Sequence, residues 1–328
     1  MVEVALMSVA VLVILLTLGI PLPYCFGGGL MVMYFLGDVV MKGNMLWGFQ
    51  QLGNPVLLAI PLFVLAGTIM SVSGIAASLL RFVNIFVGHL RGGLGVVATI
   101  SCALIGAISG SGLTGVAAIG PLLIPEMEKQ GYPREYATAL IANASLLGLL
   151  IPPSVTMIVY GWVTDTSILA CFLATLGPGL LIMANFSVVN IWLARKFPLK
   201  LEERPKGEEF VAEVSRRGFK ATPALLMPVI ILGGIYGGIM TPTEAAAVSV
   251  IYAIPVGFLI YKGLDWKTFL GAGKEASTSV GAIMLMILFS MILSQMFVLE
   301  SVPQQLVEAI FSITEDKVIL LILINVLL

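Results

Sequence analysis

Long apolar runs alternate with short polar patches along nearly the whole chain. Residues 4–20 form the first run, closed by Pro21 and Pro23, and residues 24–36 a shorter second one. Further runs cover 55–72, 167–193, 221–239, 244–261 and 278–298. Each reaches or approaches the roughly 20 residues that a helix needs to cross the hydrocarbon core. The pattern predicts an all-α polytopic membrane protein. Composition agrees: 11% of residues are charged and 59% hydrophobic, whereas a soluble domain carries about 25% charge.

Two stretches depart from the simple spans. In 74–90, Arg81, Asn84 and His89 interrupt leucines and valines, which suits a helix lying along the interface. The stretch 92–127 is apolar but broken at its centre by Ser109-Gly110-Ser111-Gly112. It reads as two crossings or as one re-entrant hairpin. Charge favours the hairpin. Arg195, Lys196, Lys200, Arg204, Lys206, Arg216, Arg217 and Lys220 are eight of the 17 basic residues, so 195–220 is expected in the cytoplasm. Arg91, Lys129 and Arg134 put both ends of the broken stretch on that side too, and its arms are short. On this count the amino terminus lies outside. Residues 136–151 then approach the membrane, and Pro152 and Pro153 interrupt them before 155–162.

A faint echo runs through the chain. A span, a Ser-containing turn and an interfacial helix occur at 55–86 and again at 278–313. The two run in opposite directions on the charge count, which predicts an inverted repeat.

Two places put irregular backbone at membrane depth, where it is tolerated only inside protein or beside a wet cavity. One is the tip, Ser109–Gly112 with Thr114 beyond it. The other is the Pro-Pro break. Prolines remove donors and bend the preceding residues out of helix, freeing carbonyls around 148–151. Ser154 is placed to cap the half-helix that follows. Freed carbonyls and hydroxyls suit Na⁺, and half-helix amino termini suit a carboxylate. The competing readings are close helix packing for the tip and a plain kink for the break. Thr241, Pro242 and Glu244 have the spacing of a capping box, and Asp165 is placed to cap the next span. Asn143 and Ser145 precede the break and suit either interhelical hydrogen bonds or substrate. The net charge of −1 gives no reason to expect a nucleic-acid partner. Cys25, Cys102 and Cys171 lie in apolar runs and read as buried small hydrophobes. The first run lacks a basic flank and reads as a span, not a cleavable signal.

The motifs "SGSGLTGVAAIGPLLIPEMEKQGYPREYATALIA" (109–142), "LGLLIPPSVTMIVYG" (147–161), "LGPGLL" (176–181) and "GGIMTPTEAAAVSVIYA" (237–253) together resemble the large membrane subunit of tripartite ATP-independent periplasmic (TRAP) transporters. The resemblance implies an inverted-repeat, elevator-type secondary transporter with a re-entrant helical hairpin and a broken transmembrane helix. It would be no enzyme. It would use a Na⁺ gradient, with no organic cofactor, to import an organic acid such as a C4-dicarboxylate or sialic acid across the bacterial inner membrane. Implied partners are a small four-helix membrane subunit, a periplasmic substrate-binding protein and membrane lipid.

Carried over residue by residue, Na⁺ roles fall on Ser109, Gly110, Ser111, Gly112, Gly148, Ile151 and Pro152. Substrate roles fall on Ser111, Thr114, Asn143, Pro153 and Ser154. The implied organisation is scaffold spans at 1–73, an arm helix at 74–91 and half a transport domain at 92–193. Within that half lie the hairpin 92–130, the broken helix 136–162 and the span 167–193. A cytoplasmic loop at 194–220, second-repeat spans at 221–300, a second arm helix at 301–314 and the start of a second hairpin at 315–328 follow. Family members continue into a second hairpin and a second broken helix, so the chain reads as truncated at its carboxyl end. Two alternatives are a stand-alone cation/dicarboxylate carrier of the same architecture and an intramembrane serine hydrolase using Ser109 or Ser111. The hydrolase needs a histidine at membrane depth, and His89, the single histidine, has a charged flank.

Overall fold

The structure is a computed structural model, and it describes residues 2–37, 41–200, 208–311 and 319. The described chain is helical, with no strand among the described residues. In order, the helices are α1 (Val2–Thr17), α2 (Leu22–Leu36), α3 (Met41–Leu52), α4 (Ala59–Val72), α5 (Ile75–Val87), α6 (Gly93–Ser109), α7 (Gly112–Gln130) and α8 (Arg134–Ser145). There follow α9 (Leu147–Leu150), α10 (Val155–Val163), α11 (Ile168–Ala194), α12 (Glu208–Tyr236), α13 (Pro242–Pro255), α14 (Trp266–Leu299) and α15 (Val302–Phe311). A 3₁₀ turn, Pro55–Leu58, leads into α4, and a π-helical turn, Val256–Ile260, extends α13.

Five described helices are long and apolar enough to cross a membrane: Pro55–Val72, Ile168–Ala194, Glu213–Tyr236, Pro242–Ile260 and Trp266–Leu299. A sixth span results if Arg134–Leu150 and Val155–Val163, bent by 42°, count as one. The helices at Val2–Thr17 and Leu22–Leu36, expected as spans, are shorter apolar helices.

The chain divides into two compact units, one of Met1–Asn54 with Gly281–Leu328 and one of Pro55–Val280. In the first, α1 packs on α2, and the buried Ser8 hydroxyl donates to Gly29 O at 2.8 Å. That bond satisfies a polar group where it could not reach water. The core of this unit joins Ala5, Leu30 and Met33 to Leu288, Ile292, Leu293 and Met296. In the second unit, α4 packs along α13, while α5 lies against α6 and α12. The hairpin α6–α7 packs against α8, α9 and α11.

Local chemistry explains several helix starts and corrects three expectations. Thr241 and Glu244 form the expected capping box, each accepting from the other's backbone N–H. Asp165 does not cap α11. Ser167 does, accepting from Ala170 N–H, while Asp165 takes φ 51° in the turn before it. The stretch expected as loop up to residue 220 enters helix at Glu208. Glu213 and Arg217 form an ion pair one turn apart there, an arrangement that supports helix in polar sequence. Likewise α14 begins at Trp266, well before the apolar run at 278. The arm expected at 74–91 is helical at Ile75–Val87, and the one expected at 301–314 at Val302–Phe311. The expected second hairpin at 315–328 lies outside the described residues, apart from Ile319.

Asp265 sets the start of α14. Its carboxylate accepts from the Thr268 hydroxyl and from Thr268 N–H, and these bonds hold its pKa below the usual carboxylate value of 3.8. A depressed folded-state pKa stabilises above the unfolded value and loses that contribution as pH falls through the folded one. The first turn of α14 is therefore expected to fray below about pH 4. Hydrogen exchange at 266–268 checks this, and Asp265→Asn should abolish the pH response.

Candidate functional site

The hairpin tip is a two-residue turn. Gly110 ends α6 in the left-handed region (φ 64°), with its N–H donating to Gly106 O at 2.7 Å. Glycine meets this need without steric cost. Ser111 is extended (φ −135°, ψ 131°), and α7 starts at Gly112. The buried Ser109 hydroxyl donates to Ser111 O at 3.2 Å and accepts from Ser111 N–H at 3.4 Å. The turn is thus closed by its own serine.

The break lies in the same compact unit as the tip. Ile151 N–H donates to Leu147 O, ending α9, and Ile151 is itself extended. Pro152 and Pro153 have no N–H, so Gly148 O and Leu149 O have no donor four residues on. The chain resumes as helix at Val155. Ser154 occupies the N-cap position but does not cap. It is fully buried, and its hydroxyl bonds the Thr156 hydroxyl at 2.7 Å instead.

The tip and the break meet through backbone. Val155 N–H, an orphan donor at the start of α10, reaches Gly110 O at 3.3 Å. A Cβ at Gly110 would lie 3.2 Å from Pro153 O and from Val155 N. Gly106 and Gly148 approach more closely still. A Cβ on Gly106 would sit 2.1 Å from Gly148 Cα, and one on Gly148 would sit 3.0 Å from Ser111 O. On the far side of the tip, a Cβ on Gly67 of α4 would lie 2.4 Å from Ser109 Cβ. Two helix carboxyl ends (α6, α9) and two amino ends (α7, α10) therefore converge. The former offer carbonyl oxygens and partial negative charge, the latter N–H groups and partial positive charge.

Of the expected site residues, Ser109, Gly110, Ser111, Gly112, Gly148, Ile151, Pro152, Pro153 and Ser154 all belong to this junction. Ser109, Gly112, Gly148, Pro152, Pro153 and Ser154 are buried, while Ser111 and Ile151 are half-buried. Thr114 is half-buried one turn into α7. Asn143 is exposed on α8, and its Nδ2 donates to Ala139 O of its own helix at 2.7 Å. Ser145 is buried; a Cβ on Gly112 would lie 3.0 Å from its carbonyl oxygen. The three cysteines are buried.

Sequence reasoning missed the fastening at the base of the hairpin. Asn190, 1% exposed on α11, donates through Nδ2 to Gly92 O at 2.7 Å and accepts from the Tyr136 hydroxyl at 3.1 Å. Arg91 donates to Phe197 O at 3.0 Å, and Lys200 N–H to Gln130 O at 2.9 Å. Tyr136 also meets Tyr132 and Phe197 ring to ring. Both arms of the hairpin, the start of the broken helix and the end of α11 are thus tied together. The available signal was an asparagine in an apolar span, one of two there with Asn185.

A helical multi-pass protein whose hairpin tip meets a broken span, backbone to backbone, has the form of a membrane transporter. Comparison with known sequences makes this specific. The sequence profile described as "Tripartite ATP-independent periplasmic transporter, DctM component" matches residues 9–328, and the chain belongs to that family. The C4-dicarboxylate TRAP transporter large permease protein of Pseudomonas aeruginosa is 35% identical over 301 residues, 92% of this chain and 69% of that protein. The sialic acid TRAP transporter large permease protein of Vibrio cholerae is 37% identical over 287 residues, 85% of this chain and 65% of the relative. The isethionate TRAP transporter permease protein DctMQ of Oleidesulfovibrio alaskensis is 36% identical over 281 residues. There the match takes in 85% of this chain and 44% of the relative. The chain thus spans from under half to about two thirds of these relatives' length.

Proposed function

We propose that this chain is the permease part of a Na⁺-coupled, binding-protein-dependent transporter that imports an organic acid by an elevator movement. The convergence of two helix carboxyl ends and two helix amino ends at one backbone junction is the observation that carries the reading. Na⁺ needs hard oxygen ligands, and Gly148 O and Leu149 O, freed by the prolines, and the Ser109 and Ser111 oxygens are of that kind. A carboxylate needs donors and positive potential, and the amino ends of α7 and α10 supply both. Ser111, Thr114, Pro153 and Ser154 border those ends and are the proposed substrate contacts. Ser109, Gly110, Ser111, Gly112, Gly148, Ile151 and Pro152 form the proposed Na⁺ side.

The names of the relatives support an acid as cargo: C4-dicarboxylate, sialic acid and isethionate. They also support a small membrane subunit and a periplasmic substrate-binding protein as partners. The proposed location is the bacterial inner membrane, with the amino terminus periplasmic and the basic stretch 195–220 cytoplasmic. The hairpin would then enter from the cytoplasm without crossing.

The test uses a single cysteine. Gly112 is a poor position, because its Cβ would crowd Ser145 O at 3.0 Å. Ser111 is half-buried and similar in size to cysteine. In the complete permease, labelling of Ser111→Cys by a membrane-impermeant maleimide should fall at least severalfold on adding Na⁺ and change again with substrate. Labelling that ignores both would defeat the coupled reading.

A further inference from the structure

Four basic side chains gather where three apolar helices begin or end. The sequence of α12 turns apolar at Ala221, just after Arg216, Arg217 and Lys220. The α13 span stops at Ile260, and Tyr261 and Lys262 follow. The α14 span starts at Trp266. A changeover from polar to apolar sequence, flanked by aromatic and basic residues, marks the depth of lipid headgroups.

Hydrogen bonds put the ends of α12 and α13 at one level, and the Trp266 ring that starts α14 meets Phe258 beside them. The Tyr261 hydroxyl donates to Lys220 O at 2.6 Å, and Arg217 Nη1 donates to Arg81 O at 3.2 Å. A Cβ on Gly218 would lie 3.4 Å from the Phe82 ring, so the amphipathic α5 lies at the same depth. Exposed aromatics complete the belt: Phe219 is 83% exposed and Trp266 70%.

The positive charge there is largely unopposed. Glu213 neutralises Arg217, and Asp265, bonded to Thr268 and still charged, is drawn to Lys267. Among the described residues, Arg81, Arg216, Lys220 and Lys262 have no carboxylate partner, and all four are exposed. Beyond Lys220, Leu226 and Val229 present an exposed apolar strip on the same helix. Cations at headgroup depth beside an exposed apolar strip fit one molecule with both properties.

We propose that Arg81, Arg216, Lys220 and Lys262 bind the headgroup of an anionic phospholipid, whose acyl chains run along α12 past Leu226 and Val229. The site is independent of the transport site and rests only on the membrane-spanning fold. Each basic group near a charged membrane surface strengthens such binding on the order of fivefold. The interaction is weakened by salt.

The test is native mass spectrometry of the delipidated complete permease, titrated with phosphatidylglycerol or phosphatidylcholine. The wild type should prefer phosphatidylglycerol by more than about tenfold, less so as salt rises. The neutral variant Arg81→Gln/Arg216→Gln/Lys220→Gln should lose that preference, and the charge-conserving Arg81→Lys/Arg216→Lys/Lys220→Arg should keep it. A distant basic pair, in Lys129→Gln/Arg134→Gln, should leave it intact. Equal binding of both lipids by wild type overturns the proposal. So does a preference that survives the neutral variant, or one lost equally in the distant pair. Excess glycerol phosphate should not displace the lipid, and displacement would assign the site to soluble phosphates instead. Should the triple variant fail to fold, Lys220→Gln alone decides: about a fivefold loss supports the site and no loss sinks it.

Discussion

Gly106→Ala should loosen the junction between hairpin and broken helix and depress Na⁺ binding with it. In an open helix the same exchange stabilises by up to about 1 kcal/mol, because alanine is the better helix former. Here the new methyl would lie 2.1 Å from Gly148 Cα. Its neighbour is backbone, which cannot swing aside as a long side chain can. Overpacking of this kind costs about 1–3 kcal/mol, so the helix gain is more than offset. Gly271, exposed on α14 with nothing within 4 Å of a Cβ, is the matched control. Gly271→Ala should leave the thermal midpoint unchanged or raise it slightly. Measured in the complete permease, Gly106→Ala should lower the midpoint by several degrees and blunt its rise with Na⁺. A midpoint at or above wild type, with the Na⁺ response intact, would show that the glycine contact has no bearing on the site.

Asn190→Ala carries the second large effect. Gly92 O is buried and takes its bond at 2.7 Å from the Asn190 amide. The same amide's oxygen accepts from Tyr136. Each buried polar group left unpaired costs about 1–3 kcal/mol, so the substitution should destabilise by about 3 kcal/mol. The residue also fills space that Gly95 leaves, since a Cβ there would lie 2.1 Å from Asn190 Oδ1. A double-mutant cycle with Tyr136→Phe separates the two bonds. Residues sharing a hydrogen bond show coupling of about 0.5–3 kcal/mol. Additive effects would mean that Tyr136 and Asn190 act apart.

The tip and the break were legible because their signals are local. Glycine and serine inside an apolar run, and two successive prolines, dictate irregular backbone wherever the chain goes. That the two breaks share a site was suggested by their closeness in sequence, but the backbone contact that joins them was not legible. It depends on Gly106, which as a single glycine in an apolar helix reads as ordinary packing, meeting Gly148, whose expected role was with Na⁺ and not in this contact. The bond from Asn190 to Gly92 joins residues far apart in the chain, and no spacing rule connects them. Helix onset at Glu208 was hidden for the opposite reason. Its charges read as solvated loop, and only the pairing of Glu213 with Arg217 turns them into helix. Asn143 stays open to either of its readings in the sequence, and its amide is bonded to Ala139 O within its own helix.

The bond from Val155 N–H to Gly110 O joins main-chain atoms only, and so does the approach of Gly106 to Gly148. A joint of this kind is indifferent to side-chain identity, apart from the glycines that permit it. Selectivity can therefore change with the side chains around the joint while the joint itself stays as it is. Relatives named for C4-dicarboxylate, sialic acid and isethionate stand at nearly equal sequence distance from this chain, 35%, 37% and 36% identity. On the proposed assignment of substrate contacts, redirecting the transporter to a new cargo would mean exchanging Ser111, Thr114 and Ser154 in combination, with every glycine of the joint left alone.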